Sequence, residues 1–276
     1  MPFRTLQGLS ACLSVNVLLI KVLLITALLL FSGALLAEPL APCQFSVRVE
    51  SERQNDAAGS HNDTRVSQQF YTLLDSLAAK VNCTVRPIAL PAGRAIKMLE
   101  QGELDVMVGM SETAERARFS FFVGPHHSER MVVVASRRIA DSVTDLKQLL
   151  ALDGFISITE GAYYGPEWQQ LLLDNPALQA RLFAASGNQQ KLAMLVSGRV
   201  MASLEDEAIV DELLKRDDLS SQYRKLFVIH DNPVYFAFSR QSVNQVLLLQ
   251  LQQQWQLMQA SGEVERIRQQ LPTALP

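Results

Sequence analysis

The residues best suited to chemistry in this 276-residue chain lie in two polar loops, GMSETAER from Gly109 to Arg116 and LEDEA from Leu204 to Ala208. The first carries a guanidinium, Arg116, with the hydroxyls of Ser111 and Thr113 close by in sequence; the second carries the carboxylates Glu205 and Asp206. A guanidinium fork matches a planar carboxylate through two parallel hydrogen bonds. Plainer roles stand beside this one: Arg116 can pair with Glu112 or Glu115, and Asp206 can complement the start of a helix. Glu160, Glu205 or Asp206 could act as acid or base, but no nucleophile is apparent with its base. There is no metal-ligand spacing. His126 and His127 are adjacent and would point apart in any regular element, and His61 and His230 stand alone, so all four read as solvated or locally bonded.

Both loops follow the same local plan. LEQGELDVM (Leu99 to Met107) and LVSGRVMAS (Leu195 to Ser203), ninety-six residues apart, each end a helix at Gly and turn into an apolar strand. Gly just past a helix accepts the left-handed conformation that stops it, and a short apolar run suits a strand buried on both faces of a parallel sheet. Loops at the carboxyl ends of such strands are where open α/β sheets hold ligands. The repeat therefore predicts two α/β lobes, each offering a loop to a shared cleft.

The elements alternate accordingly. Strands are expected at Phe45–Val49, Cys83–Ile88, Leu104–Val108 and Met131–Ala135, then at Phe155–Thr159, Val200–Leu204, Leu226–Ile229 and Val234–Phe238. A polar loop, Ser51 to Asp63, precedes a helix whose stripe is Val66, Phe70, Leu73, Leu74, Leu77, Ala78 and Val81. Further helices are expected at Arg94–Gln101, up to Leu150, at Pro166–Asp174, Asn188–Ser197, Asp206–Lys215, Val243–Ala260 and Glu263–Leu271. Ser142 with Asp145, and Ser242 with Gln245, have capping-box spacing. Pro166 suits the first turn of its helix.

Arg4 and Lys21 are the only charges ahead of Glu38, and Val22 to Leu36 is almost wholly apolar, so residues 1–37 read as an export signal ending at Ala37, or at Ala34 with Ser32 two places before it. The alternative is a retained anchor from Leu13 to Leu36. Export leaves Cys43 and Cys83 in an oxidising compartment. They lie at the starts of the first two strands, at one edge of the sheet if those strands are parallel neighbours, and are expected to form a disulfide. Without the signal the chain has 23 basic and 28 acidic residues, a mildly acidic balance that argues against a nucleic-acid surface.

The order of parts, above all GELDVMVGMSETAERARFSFFVGP followed by MVVVAS, ISITEGAYYG, LVSGRVMASLEDEA and VYFAFSR, resembles the periplasmic solute-binding proteins of family 3, the amino-acid-binding receptors of ABC transporters. The resemblance covers essentially all of the chain after the signal. It implies a two-lobed α/β fold of the type II periplasmic-binding-protein kind with a two-stranded hinge, residues 43–136 plus 229–276 forming one lobe and 137–228 the other. It further implies that Arg116 receives a ligand α-carboxylate, that Ser111 and Thr113 add hydroxyl and backbone contacts, and that Asp206 receives the α-ammonium with Glu205 beside it. Gly161, Ala162 and Tyr163 would clasp the carboxylate from the opposite lobe.

The implied protein is a periplasmic monomer that captures a small polar ligand, an amino acid or related carboxylate, and passes it to a membrane permease of an ABC importer without cofactor, metal or catalysis. Two other classes are compatible: a sensory or accessory binding protein without transport, and a dehydratase-like enzyme on the same fold. Three departures from the family pattern bear on the ligand. The usual Pro and aromatic segment after the first strand is replaced by VESERQNDAAG, position 201 is Met where Asp is common, and Ala162 and Tyr163 replace two small hydroxyl residues. Tyr163 or Tyr164 could supply the missing aromatic surface.

Overall fold

The sheet begins with β1 (Cys43–Val49), which pairs in parallel with β2 (Cys83–Ala89) so that Cys43 lies directly opposite Cys83. The two cysteines form the expected disulfide. The structure is a computed structural model and describes residues 43–49 and 63–270; the expected export signal and nearly all of the loop from Ser51 lie outside the described residues. Between the two strands runs α1 (Asp63–Ala79). Its Leu73, Leu74, Leu77 and Ala78 are fully buried, as the helical stripe predicts, each of the leucines stabilising the fold by about 1.5–3 kcal/mol.

Helix α2 (Ala92–Gln101) stops at Gly102 with φ +77°, and β3 (Val106–Ser111) follows. The turn between them is tied to β1, because both the amide and the hydroxyl of Ser46 donate to the Asp105 carboxylate at 2.7 Å. In the second repeat, Gly198 likewise has φ +70° between α5 (Asn188–Val196) and β7 (Ala202–Asp206). The intervening elements are β4 (Ser120–Ser136), α3 (Leu146–Ala151), β5 (Ile156–Thr159), α4 (Pro166–Asp174) and β6 (Leu182–Ala185). After β7 come α6 (Glu207–Leu213), α7 (Asp217–Ser220), β8 (Tyr223–Ser239), α8 (Gln245–Ala260) and α9 (Glu263–Gln270).

The strands form one eight-stranded sheet in the order β2-β1-β3-β8-β4-β7-β5-β6. Its two ends are parallel, whereas β4 and β8 are long antiparallel neighbours at its centre. Each central strand serves two cores. Val123 of β4 and Phe236 and Phe238 of β8 pack with α1, Trp255 and Met258, while Met131, Val133 and Ala135 of β4 pack with Ile156, Trp168 and Leu204.

Several details differ from the sequence reading. β4 begins at Ser120 rather than Met131, and β8 is continuous where two strands were expected. β6 was not anticipated. The capping boxes do not form as read: Asp145 caps α3 by accepting from the Gln148 amide at 2.8 Å, and Asn244 caps α8 by accepting from Leu247 at 2.9 Å. The residue next to the helix has the extended backbone and the short acceptor that an N-cap requires, so Ser142 and Ser242 lie outside the helices. Among the described residues, no helix is long and apolar enough to cross a membrane.

Candidate functional site

The loops after β3, β5 and β7 converge with β4 and the starts of α2 and α5 on a cavity of about 240 Å³. Arg116 enters it from a short 3-10 turn that follows the β3 loop. The Thr113 hydroxyl accepts from the Arg116 amide at 3.2 Å, which holds the turn at its base. The Arg116 guanidinium donates to the Ser111 carbonyl at 2.9 Å and to the Gly161 carbonyl, across the cavity, at 2.7 Å. These two carbonyls, rather than Glu112 or Glu115, hold it. Burial pulls the Arg116 pKa down, opposed by the nearby charges of Glu129 and Glu115.

Gly161 reaches this position because it has φ +76° and because a β-carbon there would stand 2.5 Å from Ile96 on α2. The neighbouring Glu160 packs so closely on Gly93 of α2 that a side chain at 93 would collide with its carboxyl group. Both contacts join the β5 loop to α2; at 161 the positive φ disfavours a side chain, whereas at 93 the exposed end of Glu160 would have to swing aside. Tyr163 meets His230 edge to face at 5.5 Å between ring centres. Tyr164 points the other way: it is 1% exposed and accepts from the Thr159 amide at 2.7 Å. Of the two tyrosines, only Tyr163 lines the cavity.

On β7, Glu205 and Asp206 have different surroundings. Glu205 accepts the Lys191 ammonium at 2.7 Å and the Asp206 amide at 3.1 Å, and Lys191 also donates to the Leu204 carbonyl at 3.2 Å. Lys191 is 1% exposed, so this is a buried ion pair that joins α5 to β7. Asp206 caps α6, accepting from the Ala208 amide at 2.7 Å. Burial raises its pKa, partly offset by the backbone amides of Ala208 and Ile209. The helix-start role and a place on the cavity wall therefore coexist at Asp206.

Seven of the eight expected ligand contacts, Ser111, Arg116, Gly161, Ala162, Tyr163, Glu205 and Asp206, line the cavity. Thr113 does not, since its hydroxyl serves the backbone of Arg116. Sequence reasoning missed Glu129, His127, Phe70 and Tyr71, which also line it. Phe70 belongs to the helical stripe, so its spacing announced a core residue. It packs against the first core and also stacks on His127 at 4.0 Å and 10°, so the aromatic wall comes from α1 and β4 together with Tyr163. Met201 packs into the second core and over Gly154, away from the cavity.

The two histidines do not point apart. A bulge between Val123 and His127 breaks the alternation of β4, and the two Nδ1 atoms come within 2.8 Å. The Gly109 amide donates to His126 Nε2 at 3.2 Å. His126 is therefore neutral with its proton on Nδ1, which donates to His127 Nδ1, so that His127 carries its proton on Nε2. Burial, joined by the adjacent ring, holds His126 well below its usual pKa, and burial, joined by Arg268, lowers His127 to about 4.

The mixed α/β fold, with strand-end loops walling a polar cavity, matches that of periplasmic binding proteins. The chain belongs to the bacterial extracellular solute-binding proteins, family 3, which it matches over residues 52–271. Among solved structures it is similar to an ancestral arginine-binding protein bound to arginine, with 18% identity, 83% of this chain and 97% of that one covered, and a TM-score of 0.66. It is also similar to a histidine kinase sensor domain with similarity to periplasmic binding proteins, at 15% identity, 84% and 97% coverage and a TM-score of 0.65. A third is an arginine 3rd transport system periplasmic binding protein from Legionella pneumophila, at 15% identity, 83% and 100% coverage and a TM-score of 0.61. No curated protein sequence matches the chain.

Proposed function

We propose that the protein is an exported receptor that closes around a small amino acid or related carboxylate, acting as a monomer in the periplasm after cleavage near Ala37. The carrying observation is Arg116, which lies in the cavity with two donors on carbonyls and further N–H groups left for a carboxylate. Asp206 supplies an anionic partner for an ammonium group from the opposite wall, and Gly161 to Tyr163 flank the carboxylate position. Ser111 contributes beside Arg116, while Thr113 acts through the Arg116 backbone. Residues 43–136 with 229–276 and residues 137–228 move as two lobes about β4 and β8, the crossings between the two packed cores.

Delivery to the membrane permease of an ABC importer is the reading that family membership favours. The similarity to a histidine kinase sensor domain favours a second: a receptor that reports its ligand to a membrane partner without transport. Ligand identity is tested by native mass spectrometry of freshly purified protein, followed by thermal-shift and calorimetric titration with amino acids and small carboxylates. A true ligand at about one hundred times Kd adds roughly 2.7 kcal/mol of stability. Asp206→Asn is expected to weaken amino acids and to spare carboxylates that lack an amine; equal loss for both would remove Asp206 from the ammonium role.

A further inference from the structure

Glu129 lies on β4, two residues before Met131, and both line the cavity. Side chains two apart on a strand share a face. Met131 stands directly opposite Asp206 on β7, so Glu129 is the diagonal neighbour of Asp206, with the two backbones about 7–8 Å apart. Two carboxylates at that spacing can converge on one small cation. The cations nearby are already engaged: Lys191 by Glu205, Arg116 by two carbonyls, and the adjacent Arg130 by Glu207 at 3.0 Å. No hydrogen bond or ion pair to the Glu129 side chain is found among the described residues.

We propose that Glu129 is a specificity-determining residue of the cavity, a second anionic contact for the ligand's ammonium group beside Asp206. The inference rests on the amino-acid reading of the cavity. It explains why a strand whose face continues through the apolar Met131, Val133 and Ala135 places a carboxyl group, next to His127, at the cavity wall. Asp206 and Glu205 face it from β7, Lys191 from α5 and Arg116 from the loop after β3; Arg48, Glu160 and His127 lie elsewhere on the wall. In the empty cavity, burial and the two β7 carboxylates outweigh Arg116 and Lys191 and push the Glu129 carboxyl up to about 8. An arriving ammonium reverses that balance. Glu129 then ionises and its proton leaves to solvent, while the ligand's ammonium keeps its own protons.

Calorimetric titration of the exported protein with the twenty standard L-amino acids, and with the deaminated analogue of each one that binds, tests this. At pH 7, in phosphate and in Tris, the amino acid should release close to one proton and its deaminated analogue none. Affinity for the amino acid should rise towards tenfold per pH unit from pH 6 to pH 8. Glu129→Gln should abolish the proton release, flatten the pH profile and weaken the amino acid ten- to a hundredfold at pH 8, with no change for the analogue. Amino-acid binding with no proton release and equal affinity in Glu129→Gln would overturn this role while leaving the amino-acid reading intact. No binding by any of the twenty would overturn both.

Discussion

Arg116 Nη2 donates to the Gly161 carbonyl at 2.7 Å, so the guanidinium that faces the cavity also ties the β3 loop to the β5 loop. Its loss removes the bridge and, on the proposed function, the carboxylate receptor as well. Arg116→Ala is expected to cost about 3–5 kcal/mol of ligand binding, as for a broken buried ion pair, which is two to three orders of magnitude or more in Kd. Arg116→Lys should recover little, because an ammonium cannot hold two carbonyls and a carboxylate in one plane. Calorimetry on folded variants checks this; parental affinity in Arg116→Ala would make Arg116 a structural residue only.

Lys191 and Glu205 form a buried pair 2.7 Å apart. Lys191→Met leaves Glu205 without its ion-pair partner and should destabilise the fold by about 3–5 kcal/mol, while Lys191→Met combined with Glu205→Gln should recover much of that loss. Urea unfolding of the two variants decides. A cost in the single variant no larger than in the double one would show that the pair does not act as a unit.

The histidine relay makes a spectroscopic prediction. At pH 7, nitrogen NMR should find His126 protonated on Nδ1 and His127 on Nε2, with His127 titrating near 4. The folded pKa of His127 lies below the unfolded one, so its contribution is complete above about pH 6.5 and is lost as pH falls towards 4. The slope is at most about 1.4 kcal/mol per pH unit. His127→Gln should reduce the stability slope in that window; an unchanged slope would exclude the buried neutral form.

Glu129 has the opposite sign. Its folded pKa of about 8 lies above the unfolded value, so the stability it contributes is complete below about pH 4.5 and declines as pH rises to 8 in the ligand-free protein. Glu129→Gln should therefore unfold at higher temperature than the parent at pH 8 and near-equally at pH 4. Differential scanning calorimetry at both pH values measures the difference.

The Cys43–Cys83 bridge spans 40 residues. In the chain-entropy model such a loop is worth about 4 kcal/mol, and the double Cys→Ala variant should lose stability of that order in urea. Thiol counting on denatured, unreduced protein should find neither cysteine free. Two free thiols in exported material would refute the pairing.

Local order along the chain was enough to place most helices and strands. Glycines at 102 and 198 stop helices by adopting positive φ, and the stripe of α1 has the period of its helix, so the information lies within a few residues. The disulfide and the loops bearing Arg116 and Asp206 were legible for the same reason: each sits at the end of an element that announces itself. Ser120 to Arg130 was not, because Gly124, Pro125 and the two histidines interrupt the apolar pattern of a strand held by pairing with β8, more than one hundred residues away. Lys191 looks like an ordinary helix charge until Glu205 is brought against it, and Glu129 looks solvated until β4 and β7 set it diagonally across from Asp206. Whether a charge is solvated, paired or held unpaired beside a cavity depends on which distant groups replace water around it, and only the tertiary structure decides that.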